Sequence, residues 1–427
     1  MEAAVVEIRP ATRPVDATVV LPGSKSYTNR ALIIAAMAQG PSLLRQALLS
    51  DDTDYMAGAL RTLGIGVVED RERAEFRVQG MRGRIPADSA ELFVGNAGTA
   101  ARFLTSFVAL GHGEFVIDGV ARMRLRPIQP LLETLQQLNV NATAVNNDGC
   151  PPVRVRSQGF AGGHARMRGD ISSQYFSSVL MVAPLSAQGV ELEVVGEMVS
   201  KPYIDMTAST MAAFGCTMQN HGYRRYTVPG GQHYTGRSYD IEPDASGASY
   251  FFAAAAVTGG RVRVQHLGNA SGQGDLHFVD VLERMGCTVV RAADYTEVTG
   301  PSQLHGVDAD MADISDTAQT LAAIAPFADG AVTIRGVAHI RNKETDRVAA
   351  LATELRAMGV RVDERADGLT IHPGGVHGAE IATYDDHRMA MSFAVAGLRQ
   401  PGVVIKDPGC VSKTFPDFWE RFAVLQG

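Results

Sequence analysis

The sequence predicts a two-lobed α/β protein made of six βαβαββ-type repeat units, three to a lobe. Two observations carry the repeat. A polar cluster opening a small-residue apolar helix, followed by a β-branched strand, occurs six times: near Lys25 (KSYTNRALIIAAMA), Asn96 (NAGTAARFLTSFVAL), Ser172 (SSQYFSSVLMVAPL), Asp244 (DASGASYFFAAAAV), Asp316 (DTAQTLAAIAPFA) and Asp386 (DHRMAMSFAVAGL). The copies stand 70 to 76 residues apart, and so long a fixed period marks repeated supersecondary units. A third observation divides them. The 427 residues exceed the roughly 250–300 at which a single core stops growing.

A second phrase separates the copies: amphipathic helix, Gly or Asn break, strand, turn, strand. It starts at Leu60, Met211, Val281 and Leu351, and again at Leu132, where Asn139 stands in place of Gly. Gly after the last apolar helical residue is a stop signal, and alternating Val, Thr and Ile around turn residues reads as a hairpin. The sixth copy has only its helix, FPDFWERFAVL, whereas the N-terminal AVVEIRPATRPVDATVVLPG reads as the missing strand, turn and strand. The last unit is therefore expected to be split across the termini. Turn residues at Leu21-Pro22-Gly23 and Ile241-Glu242-Pro243 set the expected lobes at 1–22 plus 243–427 and at 23–242, with the active site in the cleft between them. A solenoid of six stacked units is the alternative.

Composition is that of a soluble enzyme, 45% apolar and 20% charged. A net charge of −7 argues against nucleic acid or an anionic membrane as partner. No stretch resembles a signal peptide, and none approaches the roughly 18 apolar residues of a membrane span, so the cytoplasm is the expected compartment. Four separated cysteines (Cys150, Cys216, Cys287, Cys410) suggest neither a disulfide framework nor a zinc site. Cys216 and Cys287, each directly after Gly, read as buried strand filler.

Of 39 basic residues only five are lysines, and four of these (Lys25, Lys201, Lys343, Lys413) lie in dense polar motifs. That pattern suits sites that need a compact ammonium. A helix N-terminus presents free N–H groups and the positive end of a dipole to anions, although Ser172, Asp244, Ser246, Asp316 and Asp386 are also ordinary capping residues. Beside these starts lie Arg30, Arg102, Arg122, Arg124, Arg126, Lys343, Arg347, Arg388 and Lys413. An acidic chain that gathers cations there is built to capture a small polyanion. In RNKETDR, read as helix, Lys343 and Arg347 share a face and Glu344 lies three residues from Arg347. Asp316 and Glu344 are the carboxylates placed for proton transfer. Asp244, Asp346 and Asp386 read as caps or as arginine holders, and His387 as structural. PGSKS fails the P-loop pattern, and GxGxxG, HExxH and GxSxG motifs are missing.

Taken in order, PGSKSYTNRAL, NAGTAARF, RMRLRPI, SSQYFSSVLM, SKPYID, DASGASYFFAAAA, GDLHFVDVLERMG, KETDR, DDHRMAM and SKTFPDF resemble the 5-enolpyruvylshikimate-3-phosphate (EPSP) synthase family from about residue 20 to residue 420. The resemblance implies two inside-out α/β barrels and transfer of the enolpyruvyl group of phosphoenolpyruvate to the 5-hydroxyl of shikimate 3-phosphate. This is a step of the shikimate pathway towards the aromatic amino acids. It implies no metal or organic cofactor, and the expected form is a monomer.

By position, the resemblance gives shikimate 3-phosphate to Lys25, Ser26, Arg30, Ser172, Ser173, Gln174, Ser200, Tyr203, Asp316, His339 and Lys343. Phosphoenolpyruvate falls to Lys25, Asn96, Gly98, Arg122, Gln174, Arg347, Arg388 and Lys413. Asp316 is implied as base on the 5-hydroxyl and Glu344 as acid towards C3, with Lys25 alongside. Many relatives carry Asn where His339 stands and Pro where Phe103 stands. Glyphosate competes with phosphoenolpyruvate at the Gly98 position in this family, and Gly98→Ala is expected to crowd the longer inhibitor. UDP-N-acetylglucosamine enolpyruvyl transferases share the chemistry but carry a cysteine in the loop that here reads GVARMRLRPI. A non-catalytic anion-binding repeat protein would need the cations but not Asp316 and Glu344 together.

Overall fold

The structure, a computed structural model, describes residues 4–426. Contacts divide the chain into two compact units, Met1–Pro22 with Glu242–Gly427, and Gly23–Ile241. Glu242 thus falls in the first unit rather than the second.

Each unit contains three sheets on one plan. In the sheet Ser89–Phe93, His112–Asp118, Val153–Gln158, Asn141–Ala144, the first strand runs parallel to the second, with Leu92 opposite Ile117. The remaining pairs are antiparallel. The helix Gly98–Phe107 connects the parallel pair, and Gln129–Gln137 leads to the hairpin. Five of the six sheets described have four strands, and the sixth has three.

The split differs from the expected one. Val5–Glu7 does complete the last sheet, antiparallel to Val404–Lys406. Asp16–Val19 instead leaves for another sheet, parallel to Arg261–Gln265. Pro10 and Pro14 lie between the two segments, where fixed φ and missing N–H groups prevent a tight hairpin. The other unit mirrors this arrangement. Ser238–Asp240, which precedes the helix Ala245–Thr258, pairs in parallel with Gln39–Arg45. Each first strand therefore belongs to the unit that the next helix has just left, which closes both units and excludes the solenoid.

The helices lie inside and the sheets outside. All residues of Gly98–Phe107, Ala318–Ile324 and His387–Gly397 are buried, as are all of Ala245–Thr258 except Thr258. Strands alternate buried and exposed positions, as in Glu75–Met81. A helix apolar on every side must be interior, and the Ala-rich sequences let backbones approach. Hydroxyls inside pair with each other, Ser106 with Ser178 (2.8 Å) and Ser249 with Thr320 (2.9 Å). No helix among the described residues is long and apolar enough to cross a membrane.

The five Gly or Asn breaks share one geometry. Gly64, Asn139, Gly215, Gly286 and Gly359 all have φ between 62° and 99°. In each case the next N–H reaches back five residues: Ile65 to Leu60, Val140 to Leu135, Cys216 to Met211, Cys287 to Leu282 and Val360 to Leu355. This is a Schellman stop, in which the residue after the left-handed one packs inward. Cys216 and Cys287 fill that inward position rather than a strand, and burial pushes both thiols up to about 12.

Replacing Asn139 by Val places a β-branched residue in the left-handed region, at about 1–2 kcal/mol, or a fall in Tm of roughly 2–8 °C. Asn139→Gly should leave Tm near the parent value. Thermal unfolding of the two variants checks the stop motif.

Candidate active site

In the unit of residues 23–241, polar side chains gather where the buried helices begin. Ser24 caps Lys25–Met37, its side chain accepting from the Tyr27 N–H. Lys25 Nζ lies 3.6 Å from the buried Asp52 carboxylate. Ser172 caps Ser173–Val182 and accepts from the Gln174 N–H, and the Gln174 side chain donates to Thr99 Oγ1 at 3.3 Å. Two helix starts are thereby tied together, with Ser173 buried beside them. Ser200, also buried, takes the left-handed conformation (φ 54°) just before Pro202–Ala213, the helix that bears Tyr203.

Arg30 is almost wholly buried. It donates to Thr207 Oγ1 (2.8 Å), the Ser26 carbonyl (3.0 Å), Ser177 Oγ (3.2 Å) and the Tyr203 carbonyl (3.0 Å). Four of its five N–H donors are used within the protein, which makes it a tie among three helices. Burial lowers its pKa to about 10.

At the start of Gly98–Phe107 stands Arg126. Its guanidinium donates to the Asn96 carbonyl (2.9 Å) and to Asn96 Oδ1 (3.0 Å). A Cβ on Gly98 would lie 2.4 Å from its terminal nitrogen. The methyl of Gly98→Ala would therefore press on a protein cation as well. Arg122 starts the preceding single turn and is half-buried.

In the unit that holds both termini, the centre is Arg347. Its guanidinium grips Asp386 with two bonds (2.7 and 3.2 Å), Glu344 with one (2.8 Å) and Asp316 with one (3.3 Å). Arg388 donates to the other Asp316 oxygen (2.8 Å) and to the Tyr250 hydroxyl (3.3 Å). Lys343 Nζ stands 3.9 Å from Asp316, and Lys413 Nζ 4.0 Å from Glu344. Six of the expected residues thus form one network.

RNKETDR is not a helix. The 3-10 segment Ala338–Asn342 takes in its first two residues, Lys343 and Glu344 lie in a bend, and Asp346 caps Arg347–Ala357 by accepting from the Ala349 N–H. A strong N-cap ends the non-helical run here, so Glu344 meets Arg347 across the cap rather than along a face. The capping readings also separate. Asp244 and Asp386 accept backbone N–H bonds, whereas Asp316 sits within the single turn Ser315–Thr317 and directs its carboxylate at arginines. Ser246 donates to Asp275, a buried acid that the motif reading passed over.

Burial opposes the charge on Arg347, but Asp386, Glu344 and Asp316 outweigh it and hold its guanidinium above the ordinary value. His339 bonds Ser315 Oγ at 2.9 Å; burial, with Lys343 nearby, lowers its pKa to about 4, so it is neutral near pH 7. Burial and then the charge of Asp316 push Asp275 up to about 6, against the pull of Arg388 and the Ser246 hydrogen bond.

The chain matches the EPSP synthase (3-phosphoshikimate 1-carboxyvinyltransferase) family over residues 10–422. It belongs to that family. A relative from Nostoc punctiforme named 3-phosphoshikimate 1-carboxyvinyltransferase is 54% identical over 417 residues, 98% of each chain. One of that name from Shewanella baltica is 47% identical over 410 residues, 95% of this chain and 96% of its own. The solved EPSP synthase of Acinetobacter baumannii superposes with a TM-score of 0.82 at 25% identity, covering 99% of this chain and 98% of its own.

Within this EPSP synthase family member, one group among the described residues brings metal-ligating atoms within 4.8 Å of one another, His164, Glu191 and Glu193. It stands on an outer sheet face, where Arg166 (3.4 Å) and Arg225 (3.8 Å) hold the two glutamates, and it is separate from the networks above.

Asp275 gives the site a pH signature. With a folded pKa near 6 and an unfolded value of about 3.9, the folded state binds the proton more tightly. Its contribution is unpenalised below about pH 4 and falls as pH rises towards 6, by up to about 3 kcal/mol. Asp275→Asn should therefore gain Tm relative to the parent between pH 4 and pH 7. A difference constant with pH contradicts this.

Proposed function

We propose that the protein transfers the enolpyruvyl group of phosphoenolpyruvate to the 5-hydroxyl of shikimate 3-phosphate, forming 5-enolpyruvylshikimate 3-phosphate and releasing phosphate. The observation that carries the reading is the buried Arg347 network. Lys343, Arg347, Arg388 and Lys413 converge on Asp316 and Glu344, so the groups that grip polyanions touch the groups that move protons. A binding protein has no need of that contact.

Phosphoenolpyruvate is assigned to Arg347, Arg388 and Lys413, to Lys25 and Gln174, and to the Gly98 helix start with Arg126, supported by the fixed guanidinium at Asn96. Shikimate 3-phosphate is assigned to Lys25, Ser26, Ser172, Ser173, Gln174, Ser200, Tyr203 and Lys343. Arg30 holds the helices that carry these groups.

The reaction is addition followed by elimination. Asp316 takes the proton of the 5-hydroxyl while its oxygen bonds C2 and Glu344 delivers a proton to C3. The tetrahedral adduct then loses phosphate from C2 and a proton from C3, which returns to Glu344 and restores the double bond. Glu344 must be protonated at the start. Arg347 and Lys413 stand against its carboxylate, and in this reading an anion that draws their charge away favours the protonated form. Most of the remaining work is neutralising two anions and aligning them. We further infer that the protein acts as a monomer in the cytoplasm on these small molecules, in keeping with its net charge of −7.

Phosphate release from phosphoenolpyruvate, measured with shikimate 3-phosphate or UDP-N-acetylglucosamine as acceptor, tests the reading. Release is expected with the first alone. Asp316→Ala should retain shikimate 3-phosphate binding by calorimetry and lose kcat by about 10²–10⁴-fold; near-parental turnover removes Asp316 as base. Gly98→Ala, by displacing Arg126, should raise KM for phosphoenolpyruvate about tenfold or more with a smaller change in kcat. An unchanged KM separates Arg126 from that substrate.

A further inference from the structure

Asp386, which clamps Arg347, stands at the end of an unfavourable turn. The Asp386 N–H donates to the Thr383 carbonyl at 2.9 Å, and the two residues between, Tyr384 (φ 56°) and Asp385 (φ 54°), are both left-handed. A turn of this mirror-image hand is the place for Asn and Gly. A tyrosine there is strained and persists only where the surroundings impose it.

The imposing group is Glu354. It is nearly fully buried, one carboxylate oxygen accepting the Ala382 N–H at 3.0 Å and the other the Tyr384 hydroxyl at 2.5 Å. Glu354 lies on the same helix as Arg347, Arg347–Ala357. Seven residues apart, the two share a face about 10 Å apart along the axis. One helix therefore holds the segment 382–386 at both ends, by Glu354 before and within the turn and by Arg347 after it.

We propose that Glu354 is a positioning residue for the Arg347–Asp386 pair. It acts on neither substrate, but it holds the turn in the hand that presents both Asp386 oxygens to Arg347 and so sets where that guanidinium points. The kinetic arm of the test rests on the enolpyruvyl-transfer reading, and the structural arm does not.

Glu354→Ala should raise KM for phosphoenolpyruvate about ten- to a hundred-fold and leave shikimate 3-phosphate affinity within about twofold. Glu354→Gln, which keeps one acceptor oxygen, should fall between it and the parent. Because Glu354 works through Asp386, Glu354→Ala with Asp386→Asn should lose little more than Asp386→Asn alone. If Glu354→Ala does not fold, Tyr384→Phe removes a single hydroxyl contact and should still raise that KM by a few-fold. Parental KM in a folded Glu354→Ala or in Tyr384→Phe, or additive losses in the double variant, overturn the proposal. Should the parent protein itself show no turnover, the functional reading fails separately. Hydrogen exchange then decides: faster exchange of the 382–386 amides in Glu354→Ala upholds the clamp, and unchanged exchange overturns it.

Discussion

A helix buried on every side can carry charge only where its backbone leaves work for it, at the ends. Ala245–Thr258, Ala318–Ile324 and His387–Gly397 are interior throughout, and their flanks are filled by Ala, Phe, Met and Val. The charged side chains of these helices therefore stand at their starts, where unpaired N–H groups and the dipole favour anions. The Arg347 network follows from that constraint. Asp386 caps one start, Asp316 precedes another, and Arg388 sits in the first turn between them. The fold thus places the site before any catalytic demand is made on it.

Buried charge must be partnered, because leaving one ion without its counterion costs several kcal/mol. Arg347 meets three carboxylates, and Asp316 meets Arg347, Arg388 and Lys343. The carboxylates are the counterions of the cations around them, so no charge of this network is buried without an opposite charge beside it.

Sequence alone shows what depends on local chemistry. The six polar helix starts and the five Schellman stops are legible because each is specified within a few residues, down to Asn139 replacing Gly. The strand exchange is not. Asp16–Val19 reads as a strand wherever it pairs, and its partner lies some 245 residues away, Asp16 opposite Arg261. The place of Arg126 beside Asn96 and Gly98 is hidden among the alternating arginines of RMRLRP. The residue before Pro127 is forced into an extended backbone (φ −91°, ψ 119°) while Arg122 is helical, and this difference sends their side chains different ways. KETDR misled for the opposite reason: its charge spacing suits a helix, but Asp346 is a better cap than a helical residue.

Regular elements fix direction as well as position, so side chains that must point off-axis need irregular backbone. Left-handed residues such as Ala74 and Arg82 only close surface turns. Ser200, Tyr384, Asp385 and Asp407 do something else. Ser200 precedes the helix that carries Tyr203, the Tyr384–Asp385 pair delivers Asp386, and Asp407 opens the turn that ends in Lys413. Each redirects the chain ahead of a polar group of the two networks, at a cost a glycine would have avoided. Glycine would also have left the unbound segment free to sample both hands. A side chain strained into one hand, and secured by a partner such as Glu354, gives up stability for a fixed direction of the group that follows.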